Sequence, residues 1–200
     1  ALVRTGKTLD FTRVMIAERC YMIETCRDPS RLGPPGQQGP PLRMFPGMKG
    51  TWLADTLDYM EARIEATKLP LTERLKEFRR IGSEIEELSF LHVMTKTVAP
   101  AFTRVLELDL RTRAGLDLAR AALALERCRL ATGKLPERLE DLVPQYLAQV
   151  PLDPFDGQPI RYQRTGPGYR LYSVDADGRD NGGVERTEAN RGDPYDWCFI

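Results

Sequence analysis

Between Ser173 and Gly183 the chain reads Ser-Val-Asp-Ala-Asp-Gly-Arg-Asp-Asn-Gly-Gly, which sets Asp175, Asp177 and Asp180 among three glycines. Hard carboxylate oxygens on a glycine-rich loop suit a divalent cation. Calcium takes about six to eight oxygens, backbone carbonyls included, in flexible geometry. The loop has only part of an EF-hand pattern: its first glycine comes early, and no Glu closes a twelve-residue loop. Aspartate and glycine are also the ordinary residues of a solvated turn, so an acidic turn without a ligand is the alternative reading. From Ser173 to Ile200 seven acids face three bases, a local excess of four negative charges that either reading must accommodate.

The element that must carry this loop is a long helix. Phe102, Leu106, Leu110, Ala114, Leu118, Ala121, Leu125 and Cys128 recur at steps of three and four, the period of one helical face. Pro100 suits a first turn and Gly133 a stop, so the spacing predicts a spine helix over 100–132. A second row, Leu116, Leu123 and Leu130, predicts that more than one side of this helix is covered. After Gly133 a short helix over 135–142 is expected, then a run of turn formers from Val150 to Gly157. Strands over 159–164 and 169–174 form a hairpin across a glycine-containing loop. Trp197 to Ile200 can add a third strand.

Ahead of the spine, residues 1–98 read as a helical region. Helices are expected over 8–28, with Phe11, Met15, Cys20 (or Ala17), Met22 and Cys26 on one face, over 51–68 with Trp52, Thr56, Tyr59 and Ile64, and over 72–87 with Leu75, Phe78, Ile81, Ile85 and Leu88. Residues 29–50 form a Pro/Gly-rich connector. Its Gly-Pro-Pro-Gly-Gln-Gln-Gly-Pro-Pro run is too short for a collagen register and reads as a semi-extended linker. The opening residues fit a loose phosphate-loop pattern ending in Gly6-Lys7-Thr8, but the buried strand that such a loop needs is missing. His92 has no Ser, Cys or Asp constellation around it, so a structural histidine is expected. The fold class is therefore α+β, with a helical region over 1–98 and a helix-plus-sheet module over 99–200.

The 200 residues are 42% hydrophobic and 29% charged, with 29 Lys and Arg against 29 Asp and Glu. That balance gives no basis for nucleic-acid binding, and no apolar run approaches the length of a membrane span. The chain does not open with Met, so an anchor upstream of Ala1 is compatible with it. Four cysteines, Cys20, Cys26, Cys128 and Cys198, allow two disulfides in three pairings if the protein is exported; free thiols are the plainer alternative.

In order, the second half shows Ala-Leu-Ala-Leu-Glu-Arg-Cys-Arg-Leu-Ala-Thr-Gly-Lys-Leu-Pro, then Val-Pro-Leu-Asp-Pro-Phe-Asp-Gly-Gln-Pro-Ile-Arg-Tyr-Gln, then Gly-Tyr-Arg-Leu-Tyr-Ser-Val-Asp-Ala-Asp-Gly-Arg-Asp-Asn-Gly-Gly and a closing Asp196-Trp197. This series, over roughly residues 100–200, resembles the soluble domain of the major pseudopilins of type II secretion systems. The whole chain is similar to envelope proteins of planctomycete-like bacteria. The resemblance implies a spine helix packed on a small antiparallel sheet, and a structural calcium site. Asp177 stands at the Asp of the family's Ala-Asp-Gly, Asp196 at its late Asp, and Val174 would lend a backbone carbonyl. Asp175 replaces a family glycine, as an added ligand or a surface acid, and the loop to Asp196 is longer here. The family's apolar N-terminal helix has no match, because Ala-Phe-Thr-Arg-Val-Leu-Glu-Leu-Asp-Leu-Arg-Thr-Arg is too charged for a bilayer. As given, the chain is not expected to polymerise as a pilin does.

The expectation that follows is a non-enzymatic protein of the cell envelope, on its periplasmic or exported side. Calcium, bound through Val174, Asp175, Asp177, Asp180 and Asp196, would stabilise a module serving assembly or contact with protein partners, in connection with secretion. Two other classes stand beside it: a helical scaffold or regulator whose partner binds residues 1–98, and a metal-dependent hydrolase built on the Asp loop, which lacks a visible base and nucleophile.

Overall fold

The computed structural model describes residues 10–27, 49–88, 93–185 and 196–199. The phosphate-loop-like opening, residues 29–48 of the Pro/Gly connector, His92 and residues 186–195 lie outside these residues, whereas Lys49 and Gly50, read as the end of the connector, are helical. Among the described residues, four helices and a three-stranded antiparallel sheet make the fold α+β. The chain divides into two compact units, Ala1–Leu106 and Glu107–Ile200.

The first unit contains α1 (Phe11–Arg27), α2 (Lys49–Ala66), α3 (Leu71–Glu86) and the first part of α4 (Val93–Thr132). Its core takes Phe11, Met15 and Met22 from α1, Tyr59, Met60 and Ile64 from α2, Leu75, Phe78, Ile81 and Ile85 from α3, and Phe102 and Leu106 from α4. The rings of Phe11 and Phe78 lie 5.9 Å apart. Cys20 and Ala17, offered as alternatives for the α1 face, are both exposed, because the buried side of that helix steps from Met15 to Met22 across two full turns. Leu88 is exposed beyond the end of α3.

Among the described residues, three threonines (Thr56, Thr67 and Thr95) and one charged side chain are buried in this unit. Arg63 is fully buried, its guanidinium 5.0 Å from the centre of the Tyr59 ring and 4.4 Å from that of Phe78. Nη1 donates to Thr103 Oγ1 at 3.0 Å, while Nε and Nη2 have no hydrogen-bond partner. Burial lowers the pKa of Arg63, and burial pushes the Tyr59 phenol up to about 12.

The helix α4 is longer than the predicted spine. It starts at Val93, so Pro100 lies inside it rather than in its first turn. Proline there has no N–H to give the carbonyl four residues back, a cost that the buried face offsets. That face is as expected: Phe102, Leu106, Leu110, Ala114, Leu118, Ala121, Leu125 and Cys128 are all buried. The second row is not covered. Leu116, Leu123 and Leu130 are 53%, 67% and 80% exposed, because leucine at a seven-residue interval marks a helix side without saying what lies against it.

In the second unit the predicted helix after Gly133 narrows to a 3-10 turn, Leu139–Leu142. Strands β1 (Arg161–Thr165), β2 (Gly168–Ser173) and β3 (Trp197–Phe199) follow in spatial order β1-β2-β3. Thr165 pairs with Gly168, leaving the two-residue turn Gly166-Pro167, and Gly166 takes the φ of 58° that a tight hairpin turn needs at its first central position. On the far side of β2, Tyr172 pairs with Cys198 and Ser173 with Trp197. Leu118, Ala121, Leu125 and Cys128 of α4 share one core with Leu139, Leu142, Ile160 and Leu171. Cys20, Cys128 and Cys198 are free thiols.

Candidate functional site

The loop after β2 is built from its carboxylates outward. Asp175, nearly buried, has the left-handed φ of 57° that aspartate tolerates better than most residues. Both of its oxygens are held by one guanidinium from α4: Arg111 Nε donates to Oδ1 at 2.7 Å and Nη2 to Oδ2 at 3.1 Å. The two side chains are 16% and 4% exposed, so the pair is shielded from water.

Asp196 is 1% exposed and sits at the head of β3. It is bound by backbone amides: Asn181 N–H donates to Oδ1 at 3.3 Å and to Oδ2 at 3.1 Å, and Gly183 N–H donates to Oδ2 at 2.7 Å. Gly182 and Gly183 have φ of 71° and 74°, which turns the N–H groups of Asn181 and Gly183 toward Asp196, while the Gly182 N–H between them goes to Asp180. The amide of Asp196 in turn donates to Val184 O at 2.8 Å.

The other predicted ligands are spread apart. Asp177 is exposed and accepts the N–H of Arg179 at 3.0 Å. Asp180 is exposed and accepts the Tyr172 hydroxyl at 3.1 Å and the Gly182 N–H at 2.9 Å, with Arg161 Nε 3.5 Å from its second oxygen. Burial and that bond to Asp180 push the Tyr172 phenol up to about 12. Val174 is buried and donates its N–H to Asp153. Among the described residues no group of three or more His, Cys, Asp or Glu side chains converges as a metal-ligand set. The donors around Asp175 and Asp196 are N–H groups, which suit an anion and repel a cation. As placed, these side chains do not form a calcium cage.

The residue at the centre of this region was not singled out from sequence. Asp153 is fully buried; Oδ1 accepts the Phe155 N–H and the Ser173 hydroxyl, both at 3.0 Å, and Oδ2 accepts the Val174 N–H at 2.9 Å. Burial raises its pKa, and those bonds partly offset the rise. Arg161 of β1 reaches Asp153 Oδ2 at 3.3 Å and forms a forked pair with Asp156. Burial pushes the Asp156 carboxyl up, but hydrogen bonds from Arg161 and the Gln158 amide outweigh it, and the net shift is downward. In sequence Asp153-Pro154-Phe155-Asp156-Gly157 reads only as a turn. The signal that marks it is a nearby strand arginine, Arg161, which lies within 3.5 Å of Asp153, Asp156 and Asp180.

The unit also exposes apolar surface. Trp197 is 41% exposed, its indole nitrogen 3.5 Å from where a Cβ on Gly115 would stand. The leucine row of α4 starts one residue further on. Among the described residues no helix is long and apolar enough to cross a membrane. Compared with known proteins, the chain matches no family model, no curated protein and no solved structure.

Proposed function

We propose that this chain is a non-enzymatic component of the cell envelope, on its exported side, whose second unit serves assembly through protein contact. The observation that carries the reading is the exposed row Leu116, Leu123 and Leu130 on α4. Three leucines at seven-residue intervals make an apolar seam roughly 21 Å long on a helix rising about 1.5 Å per residue. Large exposed apolar side chains in register are costly in water and mark contact surfaces. The partner that fits is an amphipathic helix with apolar side chains at the same period. Arg120 and Arg127, exposed four residues after the first two leucines, favour acids on its flank. The envelope location rests on the resemblance of residues 100–200 to pseudopilin modules.

The test places a photo-crosslinking amino acid at position 123 of the full chain, expressed in its own cells, with position 129 as an exposed control off the seam. One crosslinked protein, captured from 123 and not from 129 and lost in Leu116→Gln with Leu130→Gln, is the expected result. Equal crosslinking at both positions, or none at 123, overturns the reading. So does robust turnover by the purified chain in phosphatase or esterase panels.

A further inference from the structure

The pseudopilin resemblance implies that a metal ion neutralises the Asp-rich loop, and the geometry of this chain disagrees. We infer that Arg111 supplies the positive charge that the resemblance assigns to calcium, so that the loop closes on the protein's own donors and needs no ion. Among the described acids of the loop region, Asp175 and Asp196 are buried, and these are the ones whose charge must be answered. Asp175 is gripped through both oxygens by the guanidinium of Arg111, 64 residues earlier on α4. That geometry uses the planar fork of arginine, which a single ammonium cannot reproduce. Asp196 is closed off by the amides of Asn181 and Gly183. A cation approaching Asp175 would have to displace the guanidinium and meet the Arg111 charge at short range, and one approaching Asp196 would have to displace the amides of Asn181 and Gly183. Asp177 and Asp180 are exposed, and one oxygen of each already accepts an amide from the loop.

The clasp ties α4 to the end of β2, and the Asp196 cradle ties the head of β3 to the same loop. The loop then has the role that a structural ion has elsewhere: it holds a sheet edge and a helix together. Its strength should depend on Arg111 and not on calcium.

The experiment is thermal unfolding of the full chain in millimolar calcium and in chelator, for wild type, Arg111→Gln, Arg111→Lys and Asp175→Asn. The wild-type melting temperature is expected to be the same in both buffers. Arg111→Gln should lower it by roughly 10 °C, the size expected for stranding a buried carboxylate. Arg111→Lys should recover only part of the loss, and Asp175→Asn placed on Arg111→Gln should restore more than Lys does, because no charge is then left unanswered. A calcium-dependent rise of several degrees in wild type, abolished by Asp177→Ala, overturns the inference, and so does Arg111→Gln melting with wild type. If Arg111→Gln does not fold, the wild-type comparison in calcium and chelator decides alone.

Discussion

Gly183 is the position where a single methyl group should do most damage to the Asp loop. Its φ of 74° is left-handed, and a Cβ built on it would stand 2.4 Å from Arg170 Cδ and 3.0 and 3.1 Å from Tyr172 Cδ1 and Cε1. Tyr172 cannot easily yield: it is 2% exposed, and its hydroxyl is bonded to Asp180. Gly178 supplies the control, with a φ of 67° and nothing within 4 Å of an added Cβ. Both substitutions to alanine incur the left-handed backbone cost, about 1 kcal/mol. Only Gly183→Ala adds overpacking against the Tyr172 ring and Arg170, roughly 1–3 kcal/mol more. It also disturbs the amide that holds Asp196 at 2.7 Å. Gly178→Ala should therefore cost about 1 kcal/mol and Gly183→Ala about 2–4 kcal/mol. Urea unfolding followed through Trp197 in a Trp52→Phe background reads the second unit, and the midpoints convert to free energy if the slopes agree. Equal losses at the two glycines would refute the packing of Gly183 against β2 and, with it, the account of how Asp196 is cradled.

Two further outcomes follow from buried charge. Arg63 has two unpartnered donors in an apolar setting, so Arg63→Met should leave stability within about 1 kcal/mol of wild type or raise it, whereas Arg63→Ala should cost about 3 kcal/mol through the cavity; chemical denaturation of the two variants checks this. The Asp156 pKa is lower in the folded chain than the ordinary 3.8, so its contribution is present above that value and is lost as pH falls through the lower, folded pKa. Asp156→Asn should accordingly reduce stability at neutral pH and flatten the acid limb of a stability–pH curve below about pH 4, and an unchanged acid limb would remove Asp156 from the account.

Residues with a period were the legible ones. The buried face of α4 follows from steps of three and four, and the hairpin from two short strand-like runs joined by the glycine-containing loop Thr165-Gly166-Pro167-Gly168, because local sequence dictates both. Partnership across distance was not legible. Nothing near Asp175 announces that its counter-charge is Arg111, and nothing in the turn-forming run at Asp153 shows that Ser173 and Val174 will close over it. The acidic excess after Ser173 was visible, but composition cannot tell whether acids converge on an ion or are divided among guanidinium and amide donors. The exposed leucines show the same limit: a period locates a face, and only packing decides whether anything covers it.

The two apolar rows of α4 do not run parallel. Eight residues from Phe102 to Cys128 advance at about 3.7 residues per turn, above the 3.6 of a straight helix, so the buried stripe drifts around the axis in the right-handed sense. Leu116, Leu123 and Leu130 advance at about 3.5 and drift the opposite way. A helix seated on the leucines would wind left-handedly about α4. Asp109 stands one heptad before Leu116 and α4 ends two residues after Leu130, so such a partner would make a short junction between molecules rather than a continuous cable.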